Sequence, residues 1–145
     1  MDQDKKFTIR TRAIIMYEGK MLVVKHSEEF EFYALPGGHL EWGEDIKTSL
    51  EREIIEELGV KPQIGKLLYV NNFIDADGTQ SVEFFFEVLN GSEYLNIDHL
   101  ERTHAEEILD IKWLEVGSSI KILPEPIQEY FNKGEILNHE VVFIK

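Results

Sequence analysis

The run Arg52-Glu53-Ile54-Ile55-Glu56-Glu57, closed by Leu58-Gly59-Val60, constrains this chain more than any other. An α-helix turns about 100° per residue, so Glu53, Glu56 and Glu57 stand at i, i+3 and i+4 and share one edge. Like charges so placed cost helix stability unless something cationic sits among them. Hard divalent cations that take oxygen ligands, Mg²⁺ or Mn²⁺, are the natural occupants. Ile46, Leu50, Ile54 and Leu58 repeat every four residues beside that edge. One helix can therefore pack and bind metal at once.

The flanks define the helix, read as about Glu44 to Leu58. Glu44 and Asp45 favour its start, and Gly59 suits a left-handed residue just past its end, with Val60 placed to fold back onto the last turn. Arg52 adjoins the acidic edge and can hydrogen-bond a carboxylate, fixing its direction and keeping it ionised. Upstream, Leu35-Pro36-Gly37-Gly38 reads as a turn whose glycines let backbone approach a ligand or ion closely.

Elsewhere the pattern is of strands. Phe7 to Tyr17 is apolar and β-branched, Glu18-Gly19-Lys20 reads as a tight turn, and Met21 to Lys25 follows as a hairpin partner. His26 to Tyr33 reads as a loop. Leu67 to Ile74 and Ser81 to Leu89 are strand-like runs joined across Asp75-Ala76-Asp77-Gly78, and Asn90-Gly91-Ser92 ends the pair. Glu93 to Glu107 reads as an ordered loop, Ile108 to Val116 as a further strand, Pro124 to Asn132 as a second amphipathic helix and Val141 to Ile144 as a short last strand. No linker, repeat or low-complexity tract divides residues 1–145, so a single domain is expected. Its class is α/β, a mixed sheet with helices on its faces.

Composition narrows the partners. With 28 acidic against 15 basic residues, the formal net charge of -13 argues against broad contact with long nucleic acids or anionic membranes. Small phosphorylated ligands are compatible, since a metal cluster neutralises their repulsion locally. No stretch has the apolar length of a membrane span, and Met1-Asp2-Gln3-Asp4-Lys5-Lys6 lacks the core of a signal peptide, so a cytoplasmic protein is expected. The absence of cysteine removes thiol nucleophiles and thiolate metal sites.

The stretch 38–60 resembles the Nudix box, G-x5-E-x7-R-E-U-x-E-E-x-G-U with U aliphatic, at every fixed position: Gly38, Glu44, Arg52, Glu53, Ile54, Glu56, Glu57, Gly59 and Val60. A lone E-x-x-E-E is most often a solvated helix face; the whole spaced pattern is far more specific. Length and element order are also similar to those of a small MutT-like member. The resemblance implies an α/β/α sandwich around a mixed sheet, and hydrolysis of a nucleoside diphosphate linked to another moiety with divalent metal required.

It also implies roles. Glu53, Glu56 and Glu57, joined by the Gly38 carbonyl, resemble the metal ligands, Arg52 orients Glu53, and Glu44 braces the loop against the helix. The general base in such proteins is either the glutamate matching Glu53 or one on a later loop. Glu106 and Glu107 stand where the latter is expected, just before the strand with Trp113, and Glu107 is preferred. Glu83 and Glu87 are weighed as cleft residues and His104 as a titrating group; sheet-surface glutamates and loop histidines are commonly bland. Of several aromatics, Tyr33 and Phe73 are the candidates for stacking on a base.

Signatures outside the box narrow the substrate. No proline lies between Pro62 and Pro124, where many ADP-ribose pyrophosphatases carry one, and the tyrosine of diadenosine polyphosphate hydrolases is missing from that region. Elimination leaves a nucleoside triphosphate pyrophosphohydrolase as the expectation. ADP-ribose or nucleotide-sugar cleavage is the alternative, as is a noncatalytic nucleotide-sensing module. A homodimer is implied by resemblance alone.

Overall fold

The long first strand, β1 (Lys6–Tyr17), organises the fold because its two edges are used differently along its length. The computed structural model describes residues 5–97, 108–137 and 140–144. On one edge β1 pairs in parallel with β6 (Thr79–Val88) from Lys6↔Thr79 to Ile15↔Val88. On the other edge it pairs first with β4 (Gly37–His39) at Arg10–Arg12, and only at Met16 and Tyr17 with β2 (Lys20–Lys25). The sheet forks there. The Glu18-Gly19 turn joining β1 to β2 has two left-handed residues, φ 48° and 77°, as a two-residue hairpin with right-handed strand twist requires.

The remaining strands extend both prongs. β5 (Ile64–Ile74) runs antiparallel to β6, and β9 (Val142–Ile144) lies parallel to β5. On the far side β2 pairs with β3 (Tyr33–Ala34) and β7 (Asp110–Leu114), and β8 (Ile122–Leu123) pairs with β3. The sheet is mixed, as expected.

Alternation along β1 and β2 then builds two cores. Ala13, Ile15, Leu22 and Val24 face α1 (Ile46–Leu58), meeting its Leu50, Ile54 and Leu58. Ile14, Met21 and Val23 face α2 (Glu125–Asn132), meeting Ile127 and Phe131. Period-2 strands between helices on opposite faces give the sandwich the residue pattern called for. No helix among the described residues is long and apolar enough to cross a membrane.

Two expectations need correction. Gly37 and Gly38 form a strand rather than a turn, with Gly37 at φ 145° and so close to β1 that a Cβ there would lie 1.9 Å from the Thr11 carbonyl oxygen. Glycine is used here for close strand contact. The expected loop from Glu93 begins instead as a 3₁₀ turn over Gly91–Tyr94 that buries Tyr94. Residues 98–107, and with them His104, Glu106 and Glu107, lie outside the described residues.

Candidate active site

Helix α1 starts two residues later than its acidic flank suggests, because Asp45 caps it from outside: its side chain accepts from Lys47 N at 3.2 Å. Gly59 ends it in left-handed geometry, donating to the Ile55 carbonyl. Leu50, Ile54 and Leu58 of the apolar stripe are buried and Ile46 partly so, which fixes the helix rotation and sends the acidic edge toward β4. Ser49 is buried beside it and donates to the His39 carbonyl at 3.4 Å.

Arg52 is the hub of that edge. Its Nε and Nη2 donate to the two oxygens of Glu44 at 2.7 and 3.0 Å, and its Nη1 donates to Glu53 at 3.1 Å and Glu56 at 3.3 Å. Nη2 also reaches the His39 carbonyl at 3.2 Å. Glu44 accepts in addition from the Glu41 backbone N–H, so the loop 41–44, the β4 end and the helix are tied through one guanidinium. A fork-shaped cation is suited to such bidentate contact.

These bonds hold the Glu44 carboxyl at about 2, the hydrogen bonds from Arg52 outweighing the opposing effect of burial. A carboxyl depressed below its usual value stabilises the fold fully above that usual value, near 4.5, and ceases to do so as pH falls toward 2. The wild type should therefore lose stability relative to Glu44→Gln across that window, and the substitution itself should cost about 1–3 kcal/mol at neutral pH. Urea melts of both proteins between about pH 2.5 and pH 7 check this; parallel curves would mean that the pair is silent.

Glu53 approaches the glycine strand so closely that a Cβ on Gly38 would lie 2.4–2.6 Å from its carboxylate atoms. Glu57, only 2% exposed, is drawn inside on the same edge. Among the described residues, no three acidic or histidine side chains already converge on a point that a metal ion would fill. The acidic edge offers carboxylate oxygens on three successive positions of one face, with the glycine strand against it. That donor set is all oxygen and suits a hard divalent cation. The buried Glu57 and the missing Gly38 Cβ are the features that fit it.

A cleft of about 470 Å³ opens on the opposite face of the sheet, where α2 begins. Its polar floor is a row across three strands, since Arg10 on β1 stands opposite Glu83 on β6, and Glu83 opposite Asn71 on β5; His39 on β4 stands opposite Arg10 on the other edge of β1 and does not line the cleft. Glu83 accepts from Arg12 Nε at 3.0 Å and from Asn71 Nδ2 at 3.1 Å. Burial and the charges of Arg10 and Arg12 push the His39 imidazole below its ordinary value.

Phe73 lines this cleft; Tyr33 does not. Tyr33 is 8% exposed, packs in the α2-side core and donates its hydroxyl to Asp110, with burial foremost in pushing its phenol up to about 12. The ring expected to stack on a base therefore lies in the core and not in this cleft. Glu83 lines the cleft, whereas Glu87 is not among the lining residues. The basic row of Arg10 and Arg12 was missed in the sequence, although two arginines at period 2 in a strand of largely apolar and β-branched residues are a readable sign.

The NUDIX domain family pattern matches residues 7–132. An ADP-ribose pyrophosphatase of Methanocaldococcus jannaschii is 36% identical over 84 residues, 54% of this chain and 50% of that protein. The chain thus spans about half the length of that curated relative. Among solved structures, a MutT NUDIX hydrolase from Burkholderia pseudomallei superposes with TM-score 0.67 at 22% identity, over 87% of this chain and 96% of that one. The MutT protein from Methanosarcina mazei Go1 gives 0.67 at 21%, over 96% and 100%. Likeness at such identity establishes the fold.

Proposed function

The chain belongs to the Nudix family, and on that premise we propose that it is a divalent-metal-dependent hydrolase of the pyrophosphate linkage in a small nucleoside diphosphate derivative. The favoured substrate is a nucleoside triphosphate, split into monophosphate and pyrophosphate. The observation that carries the reading is the Arg52 clamp: one guanidinium holds Glu44, Glu53 and Glu56 together against the end of the glycine strand.

Glu53, Glu56, Glu57 and the Gly38 carbonyl would hold Mg²⁺ or Mn²⁺, which would supply positive charge to the nonbridging oxygens of the diphosphate. The chain's own groups do the rest. Arg52 keeps Glu53 pointed, since a carboxylate accepting from a fixed guanidinium resists rotation. Glu44 keeps Arg52 in place. A glutamate, Glu53 or Glu107, accepts the proton of the water that attacks phosphorus as the anhydride P–O bond breaks. The cleft beside Phe73 receives the remainder of the substrate.

The relative from M. jannaschii favours a second reading, cleavage of ADP-ribose or a nucleotide sugar. A noncatalytic sensor is disfavoured by the retention of every box carboxylate. Incubation with nucleoside triphosphates, dinucleotides, nucleotide sugars and ADP-ribose in Mg²⁺, with products identified by mass, separates these. Monophosphate and pyrophosphate from a triphosphate is the expected outcome; ribose 5-phosphate and AMP from ADP-ribose would establish the second reading. Nucleotide binding without any product would establish the sensor.

A further inference from the structure

A hydroxyl lies buried where the sheet meets the acidic edge of α1. Thr11 on β1 is 0% exposed, and its Oγ1 has no hydrogen-bond partner among the described residues. Ala13 and Ile15, next along the same face of the strand, pack against α1, whereas Arg10 and Arg12 line the cleft on the other face. Across the sheet Thr11 stands opposite Phe84, which packs against the same α1-side core. Valine would fill this apolar place with the same shape and leave no donor unmet. A buried hydroxyl without a partner is costly, so the place calls for an acceptor.

The strand register points to that acceptor. Thr11 stands directly opposite Gly38 on β4. Opposed residues of an antiparallel pair send their Cβ atoms to one face, about 5 Å apart. A Cβ on Gly38 would lie 2.4–2.6 Å from the carboxylate atoms of Glu53. The Thr11 side chain and the Glu53 carboxylate therefore flank one small space, the one left by the absent glycine side chain. Two things are unfinished there. Among the described residues no three acidic or histidine side chains yet converge on a point that an ion would fill, and the hydroxyl beside Glu53 lacks an acceptor. A swing of the flexible Glu53 side chain can complete both.

We infer that Thr11 is a positioning residue for the divalent-cation site: its hydroxyl donates to the Glu53 carboxylate when a cation occupies the acidic edge. Arg52, which already donates to Oε1 of Glu53 at 3.1 Å, and Thr11 then fix that carboxylate from two elements of the fold. The inference rests on the metal-dependent reading of this edge, but not on the identity of the substrate. Thr11 touches neither cation nor substrate and acts through Glu53. Partners that orient a metal-binding side chain in this way are usually worth about 10–100-fold in metal affinity.

Mn²⁺ alone, titrated without nucleotide into wild type, Thr11→Val and Thr11→Ser and followed by the electron paramagnetic resonance of the free ion, tests this. Moderate salt screens the general negative charge of the chain. Thr11→Val should bind Mn²⁺ roughly tenfold or more weakly, while Thr11→Ser, which keeps the hydroxyl, should stay near wild type. Thermal melts in EDTA separate positioning from packing. There Thr11→Val should melt at or above the wild-type temperature, because an unmet donor has been removed. Unchanged Mn²⁺ affinity in Thr11→Val, an equal loss in Thr11→Ser, or a metal-free melting temperature that falls along with the affinity would overturn the inference and leave the metal reading standing. Wild type that binds no Mn²⁺ would sink both. Mn²⁺ binding that depends on Thr11 in a protein that hydrolyses nothing would uphold the inference while removing the hydrolase reading.

Discussion

Glu53→Gln should lower turnover by roughly 10²–10⁴-fold while leaving the melting temperature within a few degrees of wild type. The amide oxygen of glutamine can still accept from Arg52 Nη1, which now meets Glu53 at 3.1 Å, so the hub is retained. What is lost is the negative charge, which the proposed mechanism uses to bind a divalent cation and, if Glu53 is the base, to take a proton from water. The side chain is 15% exposed, so the change creates no buried cavity. A parallel Glu107→Gln protein separates the two roles. If Glu107 is the base, its substitution lowers turnover comparably but leaves the metal concentration giving half-maximal rate unchanged. Near wild-type turnover in Glu53→Gln would remove this residue from the mechanism.

The paired glycines of β4 should respond in opposite ways to alanine. At Gly37 a Cβ would lie 1.9 Å from the Thr11 carbonyl oxygen and 3.0 Å from the Arg12 Cα, atoms that move only if β4 leaves β1, and φ is 145°. Strain and overpacking of that kind cost about 2–4 kcal/mol, which lowers the melting midpoint by roughly 10 °C. At Gly38 the obstacle is the Glu53 carboxylate, the far end of a flexible side chain. It can swing aside at small energetic cost. Gly38→Ala should therefore fold nearly as stably as wild type yet lose about 10²-fold in rate, because the displaced group is the one whose position matters. Thermal melts and initial rates on the same preparations check both halves. A stable, fully active Gly38→Ala would show that the Glu53 approach has no chemical purpose.

The contrast between these neighbours illustrates what could be read in advance. The acidic edge, its apolar stripe and the Gly59 stop were legible because all their spacing lies within one helix, where i+3 and i+4 relations follow from helical geometry alone. The β1–β2 hairpin was legible for the same local reason. The strands β3, β4 and β8 were not, since two or three residues carry no periodicity and are fixed only by the partners they meet. The cleft was hidden for a related reason: Arg10, Glu83 and Asn71 come together through pairings across three strands, and no local pattern states that register. Tyr33 shows the same limit: nothing local in the sequence states that its ring packs in the α2-side core with its hydroxyl on Asp110.

The central claim is that hydrolysis happens at the acidic edge of α1 and depends on a divalent cation there. The most direct measurement follows cleavage of the substrate found in the panel by ³¹P resonance, first in Mg²⁺, then with excess EDTA, then with Mg²⁺ restored. The account predicts that cleavage stops in EDTA and resumes in full on restoration. Undiminished cleavage in EDTA would contradict it.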